Sequence, residues 1–323
     1  MSEIKNPEQS EKTSTISKFI GDSPEQNRKM RELLEARFKS GYLEPAEREK
    51  TEEEKKFLKD INEKMAVFIR RYGGDPIEIS ANLIKFIDWS KLSPDQAQLF
   101  ATKFKDGFFS LDGQRIVIFK GTNPAYPNRV GLANLVGHEL IHANSFQSLI
   151  VNPDTDLSSR HERIGLSIAN EGPDIFQDLN EAITAELNIR FHNEFLKDIE
   201  FTVEEFRKLK KLTEDIQTRA KDPSKFSDIA SVHQIPLPDK STRVTISPFE
   251  YAQQRLQFNK IIDKINELNP DMFGDREEIF NIFARAMLTG EVKQLTELVE
   301  NTFGRGTFKK LASTLDIFED AKN

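Results

Sequence analysis

The sequence contains no cysteine. Disulfides, thiol nucleophiles and thiolate metal sites are excluded together, so any metal must be held by His, Asp and Glu. Long apolar runs are also missing. None approaches the roughly 18 residues that a membrane span needs, and the mean hydropathy is −0.55. The amino-terminal stretch MSEIKNPEQSEKTS is polar and lacks the apolar segment of a secretory signal. A cytoplasmic protein with no membrane partner is therefore expected. There is no excess of positive charge either. The net charge is −7, which argues against nucleic acid as the main partner. The basic run Lys208-Leu209-Lys210-Lys211 sits among acids and reads as a solvated helix face. Neither a glycine-rich phosphate loop nor a dinucleotide fingerprint is found, and the phenylalanines read as core.

What remains is a chain of 323 residues, long enough to bury a sizeable core in one or two domains. Residues 1 to about 20 offer almost nothing to bury and read as disordered. Ser23-Pro24-Glu25-Gln26 and Thr51-Glu52-Glu53-Glu54 carry capping-box signals. The second opens a helix with the apolar stripe Phe57, Leu58, Ile61, Met65, Phe68 and Ile69. Ile77-Glu78-Ile79 and Leu83 to Ile87 are strand candidates. Ser93-Pro94-Asp95-Gln96 starts a short helix. Phe108 to Leu111 and Ile116 to Phe119 flank Asp112-Gly113, which predicts a hairpin. A helix from about Arg129 follows, then a strand at Ile164 to Ile168 and a helix from about Asp178 to Ile199. Ser247-Pro248-Phe249-Glu250 and Asp275-Arg276-Glu277-Glu278 start further helices. The stretch from Asp222 to Val244 reads as a long loop.

The chemistry lies in His138-Glu139-Leu140-Ile141-His142. Residues four apart on a helix lie on one face, with Cβ atoms about 5–6 Å apart. Two imidazoles so placed can converge on one zinc ion at about 2.0–2.1 Å each. Glu139 lies beside that face and can take a proton from a water activated by the metal. Gly131 and Gly137 each cost such a helix about 1 kcal/mol against alanine. Gly137, just before the first histidine, would let another backbone pack close. A catalytic zinc has three protein ligands and an open position, and the third is expected within Asp178 to Thr184.

The H-E-x-x-H motif, followed by Asn180-Glu181-Ala182-Ile183-Thr184 on a later helix, resembles the gluzincins, the thermolysin-like branch of zinc metallopeptidases. The resemblance covers about residues 105–192. It implies His138, His142 and Glu181 as zinc ligands and Glu139 as general base. It also implies that the backbone from Ile116 to Phe119 binds peptide as an edge strand. The family's second acid, four residues after the ligand Glu, is Ala185 here, and Glu186 follows it as a rival third ligand. An oxyanion donor is needed as well. Tyr251 is named for it, with His233 and Tyr126 as alternatives. His161 and His192 read as surface or packing histidines, and Asp154 and Asp156 as a turn rather than a calcium site.

The expected fold is α+β and mostly helical. A charged helical arm spans 1–60, a zincin-like core with a small mixed sheet spans 61–200, and a helical subdomain spans 201–323. The expected activity is zinc-dependent hydrolysis of a peptide or protein substrate. The alternatives are a zinc amidase acting on a non-protein substrate and a helical interaction protein with a structural or degenerate metal site.

Overall fold

The structure is a computed structural model. It describes residues 15–20, 23–40, 46–103, 106–111, 113–119, 128–151, 159–219, 229–236 and 242–318.

The amino-terminal region forms β1 (Lys18–Ile20), α1 (Pro24–Ser40) and α2 (Glu52–Arg71). The box at Thr51 closes in both directions: Glu54 N–H donates to Thr51 Oγ1 at 3.1 Å, and Thr51 N–H donates to the Glu54 carboxylate at 2.9 Å. The stripe from Phe57 to Ile69 is fully buried, each side chain gaining about 1.5–3 kcal/mol by leaving water. Residues 15–20 depart from the expectation of disorder. Thr15 and Ile16 are buried, and β1 runs parallel to a strand after the motif helix. The Thr15 hydroxyl, 2.6 Å from Gln147 Oε1, and its amide, 2.9 Å from Gln114 Oε1, hold the segment there.

Next come β2 (Ile84–Phe86), α3 (Pro94–Lys103), β3 (Gly107–Ser110) and β4 (Arg115–Ile118). The sheet order is β2-β4-β3, with β4 parallel to β2 and antiparallel to β3. The predicted hairpin is therefore present, but β4 is the central strand. The outer strands are β2 and β3, and the stretch from Ile116 to Phe119 lies between them. Ile77 to Ile79 is not a strand. Its amides are satisfied by side chains instead, Ile77 N–H by Asn144 Oδ1 at 2.7 Å and Ile79 N–H by Asn62 Oδ1 at 3.2 Å.

The motif helix α4 (Arg129–Asn144) leads into β5 (Gln147–Val151), β6 (Ser159–Ile164), β7 (Ser167–Ile168) and α5 (Gln177–Phe195). Ile164 to Ile168, expected as one strand, turns back at Gly165, whose φ of +59° is left-handed. The second sheet has the order β1-β5-β6-β7. After α6 (Val203–Arg219), the expected loop proves to hold an antiparallel hairpin, β8 (Ile229–Pro236) and β9 (Thr242–Pro248). Four helices follow among the described residues: α7 (Ala252–Leu268), α8 (Arg276–Thr289), α9 (Lys293–Phe303) and α10 (Thr307–Lys310). One apolar core runs from Phe57 to Leu315 and unites the motif helices with α7, α8 and α9. The fold is α+β and mostly helical. No helix among the described residues is long and apolar enough to cross a membrane.

At the centre lie α4 and α5, each buried on almost every side. Such helices are expected to be apolar all round. Yet they bury His138, Glu139, Asn180, Glu186 and Asn188, and each polar group there is costly unless it has a partner.

Candidate metal centre

Both ends of α4 are tied. At its start Asn128 Oδ1 accepts from Gly131 N–H at 2.8 Å. At its end Gln147 Nε2 donates to the carbonyls of His142 and Ala143 at 3.1 and 3.0 Å, which satisfies acceptors that a helix end leaves open. The start of α5 is fixed to the β6–β7 turn, where Asn180 Oδ1 accepts from Leu166 N–H at 2.9 Å. Asn180, the residue before Glu181, thus sets the height of Glu181 along the helix.

Between the helices, Asn188 Nδ2 on α5 donates to both the carbonyl and Oδ1 of Asn134 on α4, each at 3.0 Å. A Cβ at Gly137 would lie 2.8 Å from Asn188 Oδ1 and 3.5 Å from the Phe191 ring. Gly137 does admit a close neighbour, but that neighbour is a side chain of α5 rather than a backbone.

The helices so locked bring His138, His142 and Glu181 together. The two Nε2 atoms are 3.2 Å apart. Glu181 Oε2 lies 3.5 Å from His138 Nε2 and 3.4 Å from His142 Nε2. A tetrahedral ion about 2.0–2.1 Å from each donor sets its donors about 3.3–3.4 Å apart, so the triangle has the size such an ion requires. The Glu181 oxygen is also buried with no hydrogen-bond partner, a costly state that a cation relieves. The residues fit a divalent metal, and two imidazoles with one carboxylate suit zinc among others.

The electrostatics of the cluster are strongly coupled. Burial pushes the His138 imidazole down, but Glu181, Glu139 and Glu250 outweigh it and raise it to about 9. Burial pushes Glu181 up, and the two imidazoles overcome that and hold it well below the usual carboxylate range. Burial raises Glu139, opposed in part by His138 and His142. A buried carboxylate with a raised pKa is a better proton acceptor than an exposed one.

The donors form the floor of a cleft of about 390 Å³ lined by Phe108 and Phe109 of β3 and by Glu139, Glu250 and Tyr251. Tyr251 stands at the start of α7, and its ring stacks on His138 with centroids 5.7 Å apart. Its φ of 55° is unusual for a bulky residue, and such strain tends to be kept where a side chain must be aimed. Burial first, then Glu181, Glu250 and Glu139, raise its hydroxyl far above the ordinary range, so it stays a proton donor at neutral pH.

Other candidates lie elsewhere. Glu186 turns away, accepting from Arg190 Nη1 at 2.9 Å, Arg255 Nε at 3.1 Å and Asn259 Nδ2 at 2.9 Å. It braces α5 against α7 and lies outside the donor cluster. His192 is buried between Phe206 and Phe249, and its Nε2–H donates to the Ala230 carbonyl at 3.2 Å. The side chains of His161 and His233 lie outside the described residues, as do Tyr126, Asp154 and Asp156. Sequence reasoning missed Glu250 and Asp106, which both line the cleft. The signal for Glu250 was hidden because Ser247 to Glu250 imitates a helix start, whereas α7 begins only at Ala252.

No family model, curated protein or solved structure matches this chain, so the gluzincin resemblance stands on the motif residues themselves.

Proposed function

We propose that the protein is a zinc-dependent peptidase. The observation that carries this reading is the triangle of His138, His142 and Glu181 donors, of tetrahedral size, on the floor of an open cleft. Zinc held there supplies a Lewis acid that acidifies water and polarises a carbonyl. The buried Glu139 carboxylate takes the proton of the attacking water and delivers it to the departing amine. The Tyr251 hydroxyl donates a hydrogen bond to the oxyanion that develops on the former carbonyl. The outer strand β3, which lines the cleft, pairs with an extended peptide backbone by strand addition. Phe108 and Phe109 on that strand offer apolar contact to its side chains.

The test is hydrolysis of a mixed peptide library by the zinc-loaded protein, with products read by mass spectrometry. Cleavage that chelation abolishes and zinc restores is the expected result. A protein that binds one zinc and cleaves no peptide contradicts the reading, and leaves an amidase of other substrates or an interaction module in its place.

A further inference from the structure

The hydrogen-bond relay that ties the amino-terminal segment to the motif helix is buried throughout. Thr15 is 5% exposed, and Gln114 and Gln147 are fully buried. Gln147 Nε2 faces the carbonyls of His142 and Ala143, which can only accept. Its Oε1 therefore faces Thr15, and the hydroxyl 2.6 Å away is the donor. Among the described residues, Thr15 is the one donor to that oxygen. The Thr15 amide donates in turn to Gln114 Oε1 at 2.9 Å, and Gln114 Nε2 donates to the Leu111 carbonyl at 2.6 Å.

One residue thus touches two supports of the cleft. Gln114 belongs to the turn between β3, which lines the cleft, and β4. Gln147 caps the last turn of α4, where His142 sits. The apolar anchoring of the segment is separate. Ile16 packs with Leu111, Leu149 and Val151 in a satellite cluster, whereas α4 and α5 lie in the main core. The Thr15–Gln147 bond carries the position of the segment to the motif helix. Without that donor Gln147 Oε1 would be a buried acceptor with no partner, which is costly. The amide would turn to find one and release carbonyls that a helix end leaves open.

We infer that Thr15 is a positioning residue for the metal centre, acting on His142 through Gln147. The hydroxyl holds the Gln147 amide in one orientation, and the amide holds the last turn of α4. That turn sets the His142 imidazole opposite Glu181. Groups that orient a ligand from behind govern metal affinity about ten- to a hundredfold. Docking of the amino-terminal segment thereby becomes a condition for tight metal binding. The inference rests on the metal centre and is indifferent to the substrate hydrolysed there.

The test measures zinc affinity of the full chain by competition with a zinc-sensitive dye, and the visible absorption of the cobalt-loaded protein, which reports ligand geometry. Thr15→Val keeps the shape of the side chain and removes the hydroxyl, whereas Thr15→Ser keeps the donor. Thr15→Val is expected to bind zinc about tenfold more weakly and to shift the cobalt bands. Thr15→Ser is expected to match the wild type. Thr15→Ala replaces the valine variant if that one does not fold. In Gln147→Met, which has no amide, loss of the Thr15 hydroxyl should add no further weakening. If Gln147→Met does not fold, the comparison with serine decides alone. Wild-type affinity and spectrum in Thr15→Val, whatever its stability, overturn the inference. So does equal impairment of Thr15→Ser, or an undiminished effect of Thr15→Val beside Gln147→Met. A wild type that binds no zinc removes the metal centre and this inference together. Zinc binding without peptide cleavage removes the peptidase alone.

Discussion

A methyl group placed on Gly137 would meet Asn188 Oδ1 at 2.8 Å, so the residue before His138 sets how closely α4 and α5 approach. The distance between the helices in turn sets the reach of Glu181 to His138 and His142. Gly137→Ala is expected to push the helices apart, costing about 1–3 kcal/mol of stability. It should also weaken metal affinity about ten- to a hundredfold, as changes behind a metal site do. Competition with a zinc-sensitive dye measures the second effect. Unchanged affinity would show that the helix spacing does not govern the donors.

Glu139→Gln keeps the size and burial of the side chain and removes its ability to accept a proton. It should retain metal and lose about a hundred- to ten-thousandfold in peptide turnover. Full activity in that variant would remove Glu139 from the chemistry.

Glu186 and Glu181 should separate cleanly. Glu186→Ala leaves Arg255 and Arg190 without a shared carboxylate in a largely buried position, a loss of about 3 kcal/mol. Denaturant unfolding should register it, while metal stoichiometry stays the same. Loss of metal with stability intact would assign Glu186 the ligand role that the geometry gives to Glu181.

His192 makes folding sensitive to acid. Burial lowers its pKa from 6.5 to about 4. Between those values the unfolded chain binds a proton that the folded chain refuses, so stability falls as the pH drops through that window. Full stability from this group is present above about 6.5, and the complete loss, reached near pH 4, is about 3 kcal/mol. Unfolding at pH 7 and pH 4.5 should show a smaller acid loss for His192→Gln than for the wild type. Equal losses would mean that other groups carry the acid sensitivity.

The residues that were legible in sequence are those whose chemistry depends on local spacing. Thr51 and Glu54 announce a helix start because their cap is made within four residues. His138 and His142 announce a shared face for the same reason. Glu181 needed the resemblance, since nothing local distinguishes it from Glu186; long-range arginines do that. Thr15 was unreadable because its partners, Gln114 and Gln147, lie 99 and 132 residues away. Strand β9 does carry a period-2 pattern, Val244 and Ile246 alternating with Arg243, Thr245 and Ser247, but Pro236 and Pro238 before it read as loop. Asn188 and Glu250 gain their roles only once α5 and the hairpin close around His138.

The central claim is most directly tested by the metal content of the purified protein, measured by inductively coupled plasma mass spectrometry with His138→Ala and Glu181→Ala alongside. The account predicts about one zinc per chain in the wild type, none in His138→Ala and weakened retention in Glu181→Ala, with all three folded. A wild-type chain that holds no zinc even after it is supplied, or a Glu181→Ala variant that holds it as tightly as the wild type, would contradict the account.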